Sequence, residues 1–172
     1  DLCRAHGTLF VCDETHTIST ALGGYSQAHG LAPDFLVVGK AVAGGLPCAV
    51  YGFTAEMAER MATVKDAAPE GHSGIGTTLS GNALTLAALQ AALTHLHTHA
   101  SYAHMLALAE RLEHGLRERI ERAGMPWTVT RLGARMELQF MPSTPKNAQD
   151  VRDHARSELE ALTHLFMLNR GV

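Results

Sequence analysis

Two apolar runs, each stopping on an ionisable residue, constrain this chain most. Thr8-Leu9-Phe10-Val11-Cys12 gives way to Asp13-Glu14, and Phe35-Leu36-Val37-Val38-Gly39 stops at Lys40. Short, nearly continuous apolar runs suit central strands of a parallel sheet covered on both faces. Open α/β sheets keep their ligand chemistry beyond the carboxyl ends of such strands. A carboxylate and an amine are therefore expected at the same edge of one parallel sheet.

That pair suits an aldehyde cofactor. Pyridoxal 5′-phosphate needs a lysine to hold it as an imine and an acid beside its ring nitrogen to keep that nitrogen protonated, so that the ring can absorb electrons. Lys40 and Asp13 are the candidates for those two roles. The surrounding wording is more specific. Residues 11–17 read Val-Cys-Asp-Glu-Thr-His-Thr, residues 33–49 read PDFLVVGKAVAGGLPCA, and residues 76–82 read Gly-Thr-Thr-Leu-Ser-Gly-Asn. In this order and spacing the motifs resemble the class III, fold-type I aminotransferases, most of all the branch around the glutamate-1-semialdehyde aminomutases and the β-amino-acid aminotransferases. The resemblance is clear from about residue 8 to residue 98 and continues more diffusely to the end.

The resemblance implies an α/β fold: part of the large pyridoxal-phosphate-binding domain over residues 1–100, then part of an α+β small C-terminal domain over residues 101–172. It implies transamination between small amino and oxo substrates, or amine transfer within one molecule as the aminomutases perform it. Lys40 would anchor the cofactor and then act as general base. Asp13 would pair with the ring nitrogen. Thr15 stands where the family usually has a valine on the ring face, and His16 where it usually has a glutamine near the ring hydroxyl, so both depart from the common Asp-Glu-Val-Gln pattern. Hydroxyls and free amides at a helix start form a natural phosphate site. In the family the threonine matching Thr78 reaches the phosphate of the neighbouring subunit, which implies a homodimer with shared active sites. The usual proline after the asparagine is Ala83 here.

Further elements follow from pattern. A third strand is expected over 48–53 after the Gly44-Gly45-Leu46-Pro47 turn, then a short helix capped by Thr54 and running to about Met61. A loop rich in Gly, Pro and Ser covers 63–78. A helix over 81–99 is apolar on nearly every face and is expected to be buried. A second over 101–123, with Met105, Ala109, Leu112, Leu116 and Ile120 at helical spacing, is expected to be amphipathic and to stop at Gly124. After Pro126, Trp127–Leu132 and Ala134–Phe140 alternate like strands of a half-exposed sheet, and one last helix is expected over 148–169. Arg135, on the polar alternation, is a candidate for a substrate carboxylate.

Net charge is −3 with a pI near 6.4, which leaves no basic field for nucleic acid or an anionic membrane. The longest apolar stretch, Ala83–Leu96, is interrupted by Thr85, Gln90, Thr94 and His95 and is too short to span a bilayer. Cys3, Cys12 and Cys48 follow no framework spacing and suggest buried thiols in the cytoplasm. Eleven histidines raise a metal-binding alternative, with His95 and His99 at i, i+4, but no third ligand lies nearby in sequence. No metal is expected. Gly39-Lys40 fails as a nucleotide loop, because Asp34 and Ala41 hold the positions where glycine and Ser/Thr belong. At 172 residues the chain fits part of an aminotransferase. The family's same-subunit phosphate turn and ring-covering aromatic are expected upstream of Asp1, and the fragment alone is expected to be inactive and poorly soluble.

Overall fold

A single helical turn, α1 (Leu2–Ala5), precedes β1 (Val11–Asp13), whose partner is β2 (Phe35–Val38). The two run parallel, with Val11 opposite Phe35, Cys12 opposite Leu36 and Asp13 opposite Val37. Glu14 extends the ladder by one bond, its N–H donating to the Val37 carbonyl at 2.7 Å. The start of the pair is tied by Asp34, whose carboxylate accepts from the Phe10 N–H at 2.7 Å. The computed structural model describes residues 2–71 and 76–172, so part of the expected 63–78 loop lies outside the described residues. They form two compact units, residues 1–106 and 107–172.

Between β1 and β2 lie a 3-10 turn (Thr17–Thr20) and α2 (Gly24–Ala28). The third strand, β3 (Val50–Phe53), pairs with β2 and completes the order β1-β2-β3, and it runs antiparallel to β2. Residues 39–49 are spent on a 3-10 turn (Lys40–Ala43) and the Gly44-Gly45-Leu46-Pro47 reversal. A parallel partner would need a crossover of about a dozen residues or more, usually helical. Thr54 caps α3 (Ala55–Asp66) by accepting from the Met57 N–H at 3.3 Å, and the helix runs past Met61 because no breaker intervenes.

Strand alternation divides the sheet. Cys12, Leu36, Val38 and Val50 face one side, where Val38, Val42 and Ala43 are buried against Ile18, Leu36, Cys48, Val50, Ala88 and Leu89. Ala88 and Leu89 belong to α4 (Ala83–His95), so this helix covers that face. Val11, Asp13, Tyr51 and Phe53 are exposed, so the sheet is covered on one side and not on both. α4 is likewise less buried than its composition suggested: only Ala92 is fully buried, while Leu84, Leu86, Leu93 and Leu96 are exposed. The three cysteines are free and half-buried rather than buried. No helix among the described residues is long and apolar enough to cross a membrane.

α5 (His99–Arg122) follows α4 after a break at 96–98. Its least exposed residues, Tyr102 and Ala109 with Leu106, Glu113, Leu116 and Ile120, form a stripe rotated from the expected one, and Met105 and Leu112 are exposed. In the second unit β4 (Thr128–Leu132) and β5 (Arg135–Gln139) form an antiparallel hairpin. Arg131 donates to Glu113 at 2.5 Å, and Arg117 donates to Glu113 at 2.9 Å and to the Val129 carbonyl at 2.6 Å, which is why Glu113 tolerates a half-buried place. The expected last helix is two, α6 (Ala148–Asp153) and α7 (Ser157–Leu168). His154 turns both its N–H and its ring Nδ1 onto the Asp150 carbonyl, at 3.3 and 2.9 Å, and Arg156 leaves helical geometry.

Candidate active site

Asp13 is the last residue of β1 and Lys40 follows β2 by two, so the parallel register delivers both to one edge of the sheet. Both side chains are exposed. Lys40 has φ +50°, the only non-glycine among the described residues on the left-handed side. For a residue with a Cβ that conformation costs on the order of 1 kcal/mol, and such strain concentrates where a side chain must be aimed. Lys40 begins a 3-10 turn whose Val42 and Ala43 are buried and hold the backbone there.

Thr15 and His16 link the two strand ends. The Thr15 N–H donates to Asp13 Oδ1 at 2.9 Å, and the Thr15 hydroxyl accepts from the Gly39 N–H at 3.2 Å. His16 Nε2 lies 3.1 Å from Lys40 Nζ. The Asp13 carboxyl is held below its ordinary value, first by the side-chain hydrogen bond from Thr15, then by the Thr15 N–H, with smaller help from the positive charge of Lys40 and from His16. An ionised carboxylate and an exposed amine on adjacent strand ends are the donor set that an aldehyde cofactor with a basic ring nitrogen requires, so these residues fit pyridoxal phosphate.

Glu14, one residue further on, is only 1% exposed. Burial pushes its carboxyl up, but hydrogen bonds from the Ser26 N–H at 2.5 Å, the Thr17 hydroxyl at 2.5 Å and the Tyr25 N–H at 2.9 Å outweigh that and leave it lowered. Gly24, at φ +75°, lets α2 approach, since a Cβ there would fall 2.8 Å from Glu14 Oε2. The Tyr102 hydroxyl donates to the Ile18 carbonyl at 3.0 Å and meets His97 Nδ1 at 3.1 Å; burial, then the Glu14 charge, push its pKa up. Glu14 and Tyr102 thus fix the segment that carries Thr15 and His16. Sequence reasoning passed over Glu14. Its signal was an acid at a strand end followed by a Gly-Gly pair opening a short helix.

Thr78 is exposed in the turn before α4 and does not open that helix. Asn82 is the cap, accepting from the Thr85 N–H at 2.9 Å, while Ser80 Oγ accepts from the Thr77 N–H at 2.9 Å. Arg135 is ion-paired with Glu137 at 2.8 Å. His95 and His99 end α4 and begin α5, so the helix break between them removes the single-face i, i+4 geometry. Among the described residues no group of three or more His, Cys, Asp or Glu side chains could hold a metal. A cavity of about 380 Å³ lies on the core side of the sheet, lined by Glu14, Leu36, Val42, Leu93 and Tyr102 among others, and includes neither Asp13 nor Lys40.

The register thus puts an amine and an ionised carboxylate at the carboxyl edge of paired parallel strands, the place where open α/β folds hold ligands. The chain belongs to the class-III aminotransferases, whose family model matches residues 1–163. It is 36% identical to the glutamate-1-semialdehyde 2,1-aminomutase of Thermus thermophilus over 98% of its own length. Among solved structures it is similar to a glutamate-1-semialdehyde aminomutase from Pseudomonas aeruginosa PAO1, a lysine-to-alanine variant in complex with PMP, at 46% identity and a TM-score of 0.92 over 99% of this chain and 39% of that one. A β-phenylalanine aminotransferase from Variovorax paradoxus follows at 27% identity and a TM-score of 0.82, over 97% of this chain and 37% of that one. The chain spans about 39% of the length of the curated aminomutases it matches. These neighbours share the expected α/β, fold-type I architecture.

Proposed function

We propose that the full-length protein carrying this chain is a pyridoxal 5′-phosphate enzyme that moves an amino group between an amino acid or amine and an oxo acid or aldehyde. The observation that carries this reading is the placement of Lys40 and the ionised Asp13 on adjacent parallel strand ends, with Lys40 in a strained, fixed backbone. When bound, the cofactor withdraws electrons from the substrate carbon next to the amine. Lys40 Nζ holds the cofactor covalently and, as a free amine, carries a proton to and from the reacting carbon. Asp13 accepts the N–H of the ring nitrogen. Thr15 and His16 would help hold the cofactor ring, and Thr78 would offer its hydroxyl to the phosphate of a cofactor in a partner subunit, so the working form would be a homodimer. Residues 1–100 belong to the large cofactor domain and 101–172 to the small domain, in a cytoplasmic enzyme that binds neither nucleic acid nor membrane.

Amine transfer within a single molecule is the second reading, favoured by the similarity to aminomutases from Thermus and Pseudomonas. Borohydride reduction of the full-length holoenzyme and peptide mapping test the site: the pyridoxyl mass is expected on Lys40, and a label on Lys65 or Lys146 would overturn the assignment. An isotopically labelled amine that crosses between two substrate molecules marks transamination, and one retained within its own molecule marks the aminomutase.

A further inference from the structure

We propose that His16 is a positioning residue for Lys40, its Nε2 holding Nζ in place whenever that amine is free. This rests on the reading of Lys40 as the cofactor lysine. The two nitrogens are 3.1 Å apart, the distance of a direct hydrogen bond. Nothing about an exposed lysine at a sheet edge makes such a contact automatic, because its four-carbon stem is flexible and its ammonium is strongly hydrated. Here both ends of the contact are anchored. Lys40 leaves a left-handed backbone. His16 follows Thr15, whose N–H and hydroxyl tie it to Asp13 and to Gly39, and the Ser19 hydroxyl donates to the His16 carbonyl at 3.1 Å.

A glutamine, which the resemblance places at this position, can also hydrogen-bond an amine, but an imidazole presents its nitrogen from a stiffer ring. The consequence is kinetic. Nζ must be free and correctly aimed each time it takes up the cofactor, and holding it near its reacting geometry lowers the cost of each attack. Uptake forms a C=N bond between Nζ and the aldehyde carbon, while the aldehyde oxygen and two amine hydrogens leave as water.

The test uses the full-length protein stripped of cofactor, in wild-type, His16→Phe, His16→Ala and His16→Gln forms. Pyridoxal phosphate is added, the rate of chromophore formation is followed, and the labelled lysine is mapped after borohydride. His16→Phe and His16→Ala are expected to take up cofactor roughly tenfold more slowly, the worth of one hydrogen bond, at unchanged thermal midpoints. His16→Gln should recover to within about threefold of wild type, because it restores a hydrogen-bonding group. Uptake at the wild-type rate in either His16→Phe or His16→Ala overturns the proposal, as does a His16→Gln variant as slow as those two. A label away from Lys40 in the wild type defeats the assignment of the cofactor lysine itself. Equal rates with the label on Lys40 defeat the role of His16 alone.

Discussion

Replacing Glu14 by glutamine should loosen the segment behind the candidate site while leaving the site residues intact. Glu14 is 1% exposed and accepts three hydrogen bonds, two on Oε2 from Thr17 Oγ1 and the Tyr25 N–H, and one on Oε1 from the Ser26 N–H. Glutamine has the same shape but one acceptor oxygen. Its better orientation keeps the carbonyl toward Thr17 and Tyr25 and turns the amide NH2 against the Ser26 N–H, donor facing donor. Losing a charge-assisted bond and stranding a buried N–H costs about 3 kcal/mol. If α2 opens locally, amide exchange at Tyr25 and Ser26 should accelerate roughly a hundredfold, since each 1.4 kcal/mol is tenfold. Exchange measured by mass spectrometry on peptides covering 24–28 of the full-length protein reads this directly. A change below threefold would refute the account of Glu14 as a buried clamp.

Acid supplies a second check on the same variant. The folded Glu14 carboxyl lies below its ordinary value of 4.5. Its stabilising contribution is therefore fully present above pH 4.5 and is lost as pH falls through the lowered folded value. Glutamine does not titrate. The gap in stability between wild type and Glu14→Gln should narrow below pH 4.5 and stay constant above it, and a gap that widens in acid would contradict the direction of the shift.

Gly24→Ala puts a Cβ 2.8 Å from Glu14 Oε2 at φ +75°, and should destabilise the protein by about 2 kcal/mol in urea unfolding. Thr15→Val removes the acceptor of the Gly39 N–H and should cost about 1 kcal/mol by the same measurement. It should also raise the Asp13 pKa toward its ordinary 3.8, so that the variant loses less stability than wild type as pH falls below that value, read by carboxyl-resolved NMR titration. Asp13→Asn should retain cofactor but lower turnover by roughly a hundredfold or more, because an amide does not hold the ring nitrogen protonated; near-normal turnover would contradict its role. Lys40→Gly should be more stable than Lys40→Ala by on the order of 1 kcal/mol in thermal or urea unfolding, since only glycine relieves φ +50°.

What could be read from the sequence was whatever is local. The carboxyl ends of β1 and β2 announce themselves because an apolar run stopping on an ionisable residue is visible within a few positions, and the cap Thr54 sits where its helix begins. The direction of β3 was not local: it depends on how much chain residues 39–49 leave for a crossover, and a short apolar run looks the same in either direction. The burial of α4 was not local either. An all-round apolar composition says that something covers the helix, whereas Leu84, Leu86, Leu93 and Leu96 are exposed in a chain spanning about 39% of its relatives' length. Glu14 escaped notice because two of its three partners, Tyr25 and Ser26, are 11 and 12 residues away, so the acid at the strand end does not by itself announce a clamp. Thr15 and His16 make the sharper case. As departures from Asp-Glu-Val-Gln they cast doubt on how the ring would pack, yet each has a polar contact that reaches the Lys40 strand: the Thr15 hydroxyl takes the Gly39 N–H and His16 Nε2 meets Nζ. A valine could not accept the Gly39 bond. The two departures therefore act as a pair, both joining the turn after Asp13 to the turn that aims Lys40; of the two family residues, valine at position 15 would remove its link outright, whereas glutamine at position 16 keeps a group that can hydrogen-bond Lys40.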